Sequence, residues 1–170
     1  MKLNNKVAVI AGGTKGIGLG IALEFAREGA SVVVGGTNPK NGEAAESEIA
    51  ATGGNGMFVK CDVSSLDDLD NIITKTVERY GRVEIYVANA GINDSAKPHF
   101  LHITPEQYDR IMDVNLRGMF FGGQKAAQQM VSQGDGGVII NMSSVNAHLA
   151  LDSQVVYTVS KGGIQQLTKV

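Results

Sequence analysis

Tyr157 and Lys161 stand four positions apart in Tyr157-Thr158-Val159-Ser160-Lys161, and on a helix that spacing puts a phenol and an ammonium on one face. The pair suits proton transfer. A free phenol, with a pKa near ~10, holds its proton too tightly to act as a base at neutral pH, and an adjacent ammonium stabilises the phenolate. Lysine supplies that charge without giving up its own proton. Upstream, Asn141-Met142-Ser143-Ser144 closes an apolar run and offers two hydroxyls, and either can hydrogen-bond and orient a substrate oxygen. No Gly-x-Ser-x-Gly elbow surrounds them, which argues against a hydrolase. His148 is read as a pocket or surface residue, because the proton chemistry is already assigned.

A second centre is built from glycine. Gly12-Gly13-Thr14-Lys15-Gly16-Ile17-Gly18 lies where a strand-like run gives way to a helical pattern. Gly12 permits a sharp turn, Gly16 leaves room for a pyrophosphate at the backbone, and Gly18 lets the helix pack closely on the strand. A phosphate then faces the helix N-terminus, with Thr14, Lys15 and Ile17 around it. No Gly-Lys-Ser or Gly-Lys-Thr follows, so this is not a P-loop. The acid that binds the 2′-OH of NAD belongs about 20 residues on. Gly35-Gly36-Thr37-Asn38 stands there without a carboxylate, which places Thr37 at the cofactor.

These groups need elements to position them, and the chain supplies an alternation. Val7 to Ala11 reads as a strand buried on both faces, followed by an amphipathic helix through Ile17, Ile21 and Phe25 that runs until Gly29. Ser31 to Val34 is a second strand, Glu43 to Ala51 a helix stopped by Gly53-Gly54, and Met57 to Lys60 a third strand. Leu66 to Tyr80 is a helix with Leu66, Leu69, Ile73 and Val77 inward, and Val83 to Ala88 a fourth strand. Thr104-Pro105-Glu106-Gln107 opens the longest helix with a capping box, and Val138 to Asn141 makes a fifth strand. Strands alternating with crossover helices predict an α/β fold, a doubly wound parallel sheet of Rossmann type in three α/β/α layers. Ligands then bind beyond the strands' carboxyl ends, where the glycine loop and Ser143-Ser144 both fall.

Taken together, these motifs resemble the short-chain dehydrogenase/reductase family, in particular its 3-oxoacyl-reductase-like and glucose-dehydrogenase-like members. The glycine loop is similar to the family's Thr-Gly-x-x-x-Gly-x-Gly, with Ala11 in place of the threonine. Asn89-Ala90-Gly91 is similar to its Asn-Asn-Ala-Gly segment, with Ala88 replacing the first asparagine. The resemblance implies that Asn89, Ala90 and Gly91 line the cofactor and that Asp62-Val63 contacts the adenine. Helix capping is the competing reading of Asp62. The family's spacing of catalytic serine and tyrosine matches Ser144 and Tyr157. Asn115, in Asp113-Val114-Asn115, matches the asparagine that bends the long helix and holds a water for the catalytic lysine. The resemblance thus implies catalysis by Asn115, Ser144, Tyr157 and Lys161, cofactor contacts from Tyr157 and Lys161 as well, with Lys161 on the nicotinamide ribose, and hydride exchange between a nicotinamide cofactor and a secondary alcohol or ketone. With Lys15 placed as in NADP-using members, NADP is favoured over NAD. A homotetramer or dimer packed through the long helix and the Tyr157 helix is also implied. Family members run to roughly 250 residues, and this chain stops at Val170 inside the Tyr157 helix. The domain is therefore expected to be incomplete at that end.

Composition limits the alternatives. The 170 residues, 43% hydrophobic, fit a single domain over 1–170. A net charge of −2 with dispersed Lys and Arg gives no footprint for nucleic acid or an anionic membrane, so a small-molecule substrate is expected. The first apolar run is too short for a signal or membrane segment, which predicts a cytoplasmic protein. Asn93-Asp94-Ser95 and Asn141-Met142-Ser143 match the glycosylation sequon and are read as accidental on that ground. One cysteine, Cys61, precludes an internal disulfide, and His99, His102 and His148 lack metal-ligand spacing, so no metal is expected. Two rival functions keep the fold without the chemistry: a dinucleotide sensor or scaffold, and a flavodoxin-like binding module. Asn146, His148, Leu149, Asp152 and Gln154 flank the serine and tyrosine and predict a pocket of mixed polarity without naming its substrate.

Overall fold

The computed structural model describes residues 1–94, 98–149 and 151–170; Ser95 of the first sequon lies outside them. Five strands, β1 (Val7–Ala11), β2 (Ser31–Gly36), β3 (Asn55–Lys60), β4 (Ile85–Ala88) and β5 (Val138–Asn141), form one parallel sheet in the order β3-β2-β1-β4-β5. The chain winds outward from β1 to β3, then returns to the other side of β1 for β4 and β5. That reversal opens a crevice beyond the carboxyl ends of β1 and β4, the place where such sheets bind ligands. The expected doubly wound fold is the one observed.

Alternation along the strands sets the layers. Ala8, Ile10, Val32 and Val34 point to one face, against Ala22 and Ala26 of α1 (Gly16–Arg27) and Ala45 and Ile49 of α2 (Pro39–Ala51). Val9, Ala11 and Val33 point to the other. There they meet Leu69 and Ile72 of α3 (Leu66–Tyr80), Met119 and Ala126 of α5 (Gly118–Ser132), and Ile164 of α6 (Val155–Leu167). On β5 only Ile139 joins this second core; Val138 and Ile140, on the opposite face, are 55% and 38% exposed.

Three local differences from the sequence reading affect the site. The buried stripe of α1 is Gly18, Ala22 and Ala26, whereas Ile17 is 69% exposed. The helix approaches the sheet too closely for large side chains, so the inward face is the one made of small residues. Helix α2 begins at Pro39, four residues earlier than expected, with the Asn38 side chain accepting from Asn41 N at 3.2 Å. Gly42 inside it is a packing residue, since a Cβ there would run into the Phe58 ring. The third refines an expectation: the long helix, which the resemblance bends at Asn115, is interrupted there. It starts as α4 (Pro105–Met112) behind the expected capping box, with Thr104 Oγ1 accepting from Gln107 N and Gln107 Oε1 from Thr104 N. A π-helical turn at Asp113–Arg117 then separates α4 from α5. Such turns insert one residue and re-aim the side chains around them; Asn115, fully buried, sits within this one.

Candidate active site

The crevice has a half made of backbone and a half made of side chains. In the first, Gly12 follows β1 at φ +82°, and a Cβ there would lie 2.6 Å from Ala90 N. A Cβ on Gly18 would strike the Gly12 carbonyl oxygen. Asn89 Nδ2 donates to that same oxygen at 2.8 Å, while Asn89 N and Ala90 N donate to Ala11 O. The end of β4 therefore clamps the turn that follows β1. Helix α1 begins without a side-chain cap, with no acid in its first turn, and nothing lies within 4 Å of a Cβ position on Gly16. Uncovered first-turn N–H groups beside open space fit a pyrophosphate.

A cleft of about 400 Å³ and a second of about 350 Å³ meet along Asn89, Gly91 and Ile92. The smaller is walled by Gly12, Thr14, Lys15, Thr37, Asp62, Val63 and Ala90, all expected at a dinucleotide, together with Gly36, Cys61 and Val114, which were not. Asp62 does not cap α3. Ser65 does, its Oγ accepting from Asp68 N at 3.2 Å, while Asp62 Oδ1 accepts from Ser64 N and Oγ at 3.0 and 2.7 Å. Burial and the carboxylates of Asp68 and Asp62 push the Cys61 thiol up to about 12, so it stays protonated. Gly36 ends β2 without a side chain, and a Cβ there would sit 2.6 Å from Thr14 Oγ1.

The larger cleft holds Ile17, Ser144, Tyr157 and Lys161. Lys161 is 3% exposed; its Nζ donates to Met142 O at 2.7 Å and lies 5.6 Å from the centre of the Tyr157 ring. Burial disfavours the ammonium and lowers its pKa. The two serines differ in their bonding. Ser143 Oγ donates to Lys161 O at 3.3 Å, which occupies its proton, whereas Ser144 Oγ accepts from Asn146 N at 3.2 Å and keeps its proton free to donate.

Asn115 lines neither cleft and acts from behind. Its Oδ1 accepts from Ile92 N at 2.8 Å, and its Nδ2 donates to Ile92 O at 2.8 Å and Ser160 Oγ at 3.2 Å. Ser160 Oγ in turn donates to Tyr157 O at 2.7 Å. One buried amide thus ties the loop after β4 to the helix carrying Tyr157 and Lys161. Gly91 leaves the space between them, since a Cβ there would be 3.5 Å from Asn115 Oδ1 and 3.7 Å from Lys161 Nζ. Among the described residues there is no group of three or more metal-ligating side chains, and no helix is long and apolar enough to cross a membrane.

The sequence profile of the short chain dehydrogenase family matches residues 6–170. The chain belongs to the short chain dehydrogenase family. It is 41% identical over 170 residues to the L-rhamnose-1-dehydrogenase of Scheffersomyces stipitis, covering 97% of this chain and 65% of that protein. Over 167 residues it is 36% identical to 3beta-hydroxysteroid dehydrogenase 2 of Eggerthella lenta, covering 98% and 64%. A short-chain type dehydrogenase/reductase from Mycobacterium marinum, known from its crystal structure, superposes with a TM-score of 0.94 at 35% identity, covering 99% of this chain and 66% of that one. The chain therefore spans just under two thirds of the length of these short chain dehydrogenases.

Proposed function

We propose that residues 1–170 form a single dinucleotide-binding and catalytic unit of an oxidoreductase that interconverts a secondary alcohol and a ketone. The reading is supported above all by the conjunction of Tyr157, the buried Lys161 and the unspent Ser144 hydroxyl in one cleft, continuous with the cleft at the uncapped α1. A nicotinamide dinucleotide, when bound, supplies or accepts the hydride. Gly12, Thr14, Lys15, Gly16, Ile17, Gly18 and Thr37 would hold it, with Asp62, Val63, Asn89, Ala90 and Gly91 along its length.

In the direction of reduction, Tyr157 gives its phenolic proton to the substrate oxygen and Ser144 donates a hydrogen bond to the same atom. Lys161, its Nζ donating to Met142 O and lying 5.6 Å from the centre of the Tyr157 ring, would also contact the nicotinamide ribose when the dinucleotide is bound. Asn115 is a positioning residue. With both amide hydrogens committed to Ile92 and Ser160, it fixes the Tyr157 helix against the loop after β4. NADP is the preferred cofactor: no carboxylate ends β2, and Lys15 lines the smaller cleft. Exposed Tyr108, Phe120 and Val131 on α4 and α5, with Val159 on α6, support a homo-oligomer packed through these helices. Light scattering that finds only monomer removes that part.

The test follows nicotinamide absorbance with NADP⁺ and NAD⁺ over a panel of secondary alcohols. Turnover with a preference for NADP⁺ is expected. Dinucleotide binding without turnover on any alcohol or ketone would instead support a sensor or scaffold.

A further inference from the structure

Of the four carboxamides that line the larger cleft with Ser144 and Tyr157, two, Asn146 and Gln154, are bonded to each other, and the proton chemistry uses neither. Asn146 is 6% exposed, in the 3₁₀ turn Val145–Ala147 that begins at Ser144; Gln154 directly precedes α6, three residues before Tyr157. Asn146 Nδ2 donates to Gln154 Oε1 at 2.9 Å, so the pair bridges the two segments that carry the serine and the tyrosine. The bond satisfies one amide group of each residue. An amide carries both an NH₂ and a carbonyl, so Gln154 retains an NH₂ and Asn146 a carbonyl oxygen, neither bonded to another described residue. If the bond ran the other way, with both amides turned over, one NH₂ and one C=O would still remain.

One donor and one acceptor on two residues bridged within one cleft match a hydroxyl, which needs both. We propose that the Asn146–Gln154 pair recognises a second hydroxyl, on the carbon next to the reacting carbinol, and that the substrate is a vicinal diol or polyol. This rests on the redox reading above. An apolar ring laid against the pair would strip water from two polar groups without replacing their bonds, and sites of this type discriminate strongly against analogues lacking the hydroxyl. The bridge also limits where the second hydroxyl can lie, because Gln154 and Tyr157 are less than one helical turn apart.

Two probes of equal ring size test it: trans-1,2-cyclohexanediol and cyclohexanol, with saturating NADP⁺. The diol should have a kcat/KM about 10-fold or more above that of the mono-ol. Gln154→Leu should bring that ratio to near one, and Asn146→Ser, which keeps the backbone donor to Ser144, should lower it too. In parallel, the side-chain NH₂ signals of Asn146 and Gln154 are followed by NMR as each probe is added to the dinucleotide complex. Shifts with the diol alone support the proposal even without turnover, in which case it is the redox reading that fails. Turnover with equal kcat/KM for both probes, or NH₂ signals that ignore the diol, overturns the proposal, and the former leaves the redox reading standing.

Discussion

The two halves of the crevice are built on opposite principles. At the turn after β1 the chain works by leaving atoms out: Gly12 and Gly18 are hemmed in by Ala90 and by the Gly12 carbonyl, and a Cβ position on Gly16 meets nothing. Beyond β4 and β5 it works by placing polar atoms where burial is costly. Lys161 is almost completely enclosed, and Asn115 and Ser160 are fully so. The first half is damaged by adding a methyl group, the second by removing a hydroxyl. A binding surface for a ligand's backbone-like phosphates needs shape and N–H groups, whereas proton transfer needs a titratable group held at a chosen spot.

The sharpest way to break this contrast is Tyr157→Phe, which deletes one oxygen. Turnover should fall by about 10²–10⁴-fold, with dinucleotide affinity from fluorescence titration nearly unchanged; equal activity in the two proteins would remove Tyr157 from the chemistry. Gly12→Ala adds one carbon at the other half. A left-handed backbone position and a collision with Ala90 should together cost about 2–4 kcal/mol of stability in urea unfolding and weaken dinucleotide binding. A wild-type midpoint would mean that the turn relaxes freely.

Lys161→Met separates function from stability. It should abolish turnover yet change the stability of the fold by no more than about 1 kcal/mol, because relief of a buried ammonium is offset by the Met142 carbonyl left without its donor. The pH dependence gives the sign. Burial lowers the Lys161 pKa in the folded chain, so between that value and the ordinary ~10.4 the unfolded chain binds more protons. Stability of the wild type should therefore rise with pH across that window, a rise that Lys161→Met lacks. The smallest effect belongs to Cys61. With its thiol pushed up to about 12 and buried, only about one part in 10⁴ is thiolate at pH 8, and alkylation by iodoacetamide should be far slower than for a free thiol.

The layout of the site was legible because its parts are local. Glycines that bend a turn, a Tyr and a Lys one helical turn apart, and a Thr-Pro-x-Gln cap all announce themselves within a few residues. What escaped depends on distant partners. The inward face of α1 was misplaced by one residue, because apolar size marks a buried stripe only where the neighbouring layer leaves room. Helix α2 starts four residues before Glu43, and the packing of Gly42 under Phe58, sixteen residues on, is a contact only the fold shows. The resemblance places a bend at Asn115, but its form as a π-helical turn has no local signature, and with it Val114 reaches the smaller cleft. Likewise, Asn146 and Gln154 were visible as polar residues near the site, but their bridge needs the fold.

The most direct test of the redox assignment is transfer of an isotope. A secondary alcohol carrying deuterium on its carbinol carbon is incubated with the protein and NADP⁺, and the recovered dinucleotide is weighed by mass spectrometry. The account predicts deuterium in the reduced dinucleotide with the wild type and almost none with Tyr157→Phe. Bound dinucleotide that never acquires the label, or equal labelling by both proteins, would contradict it.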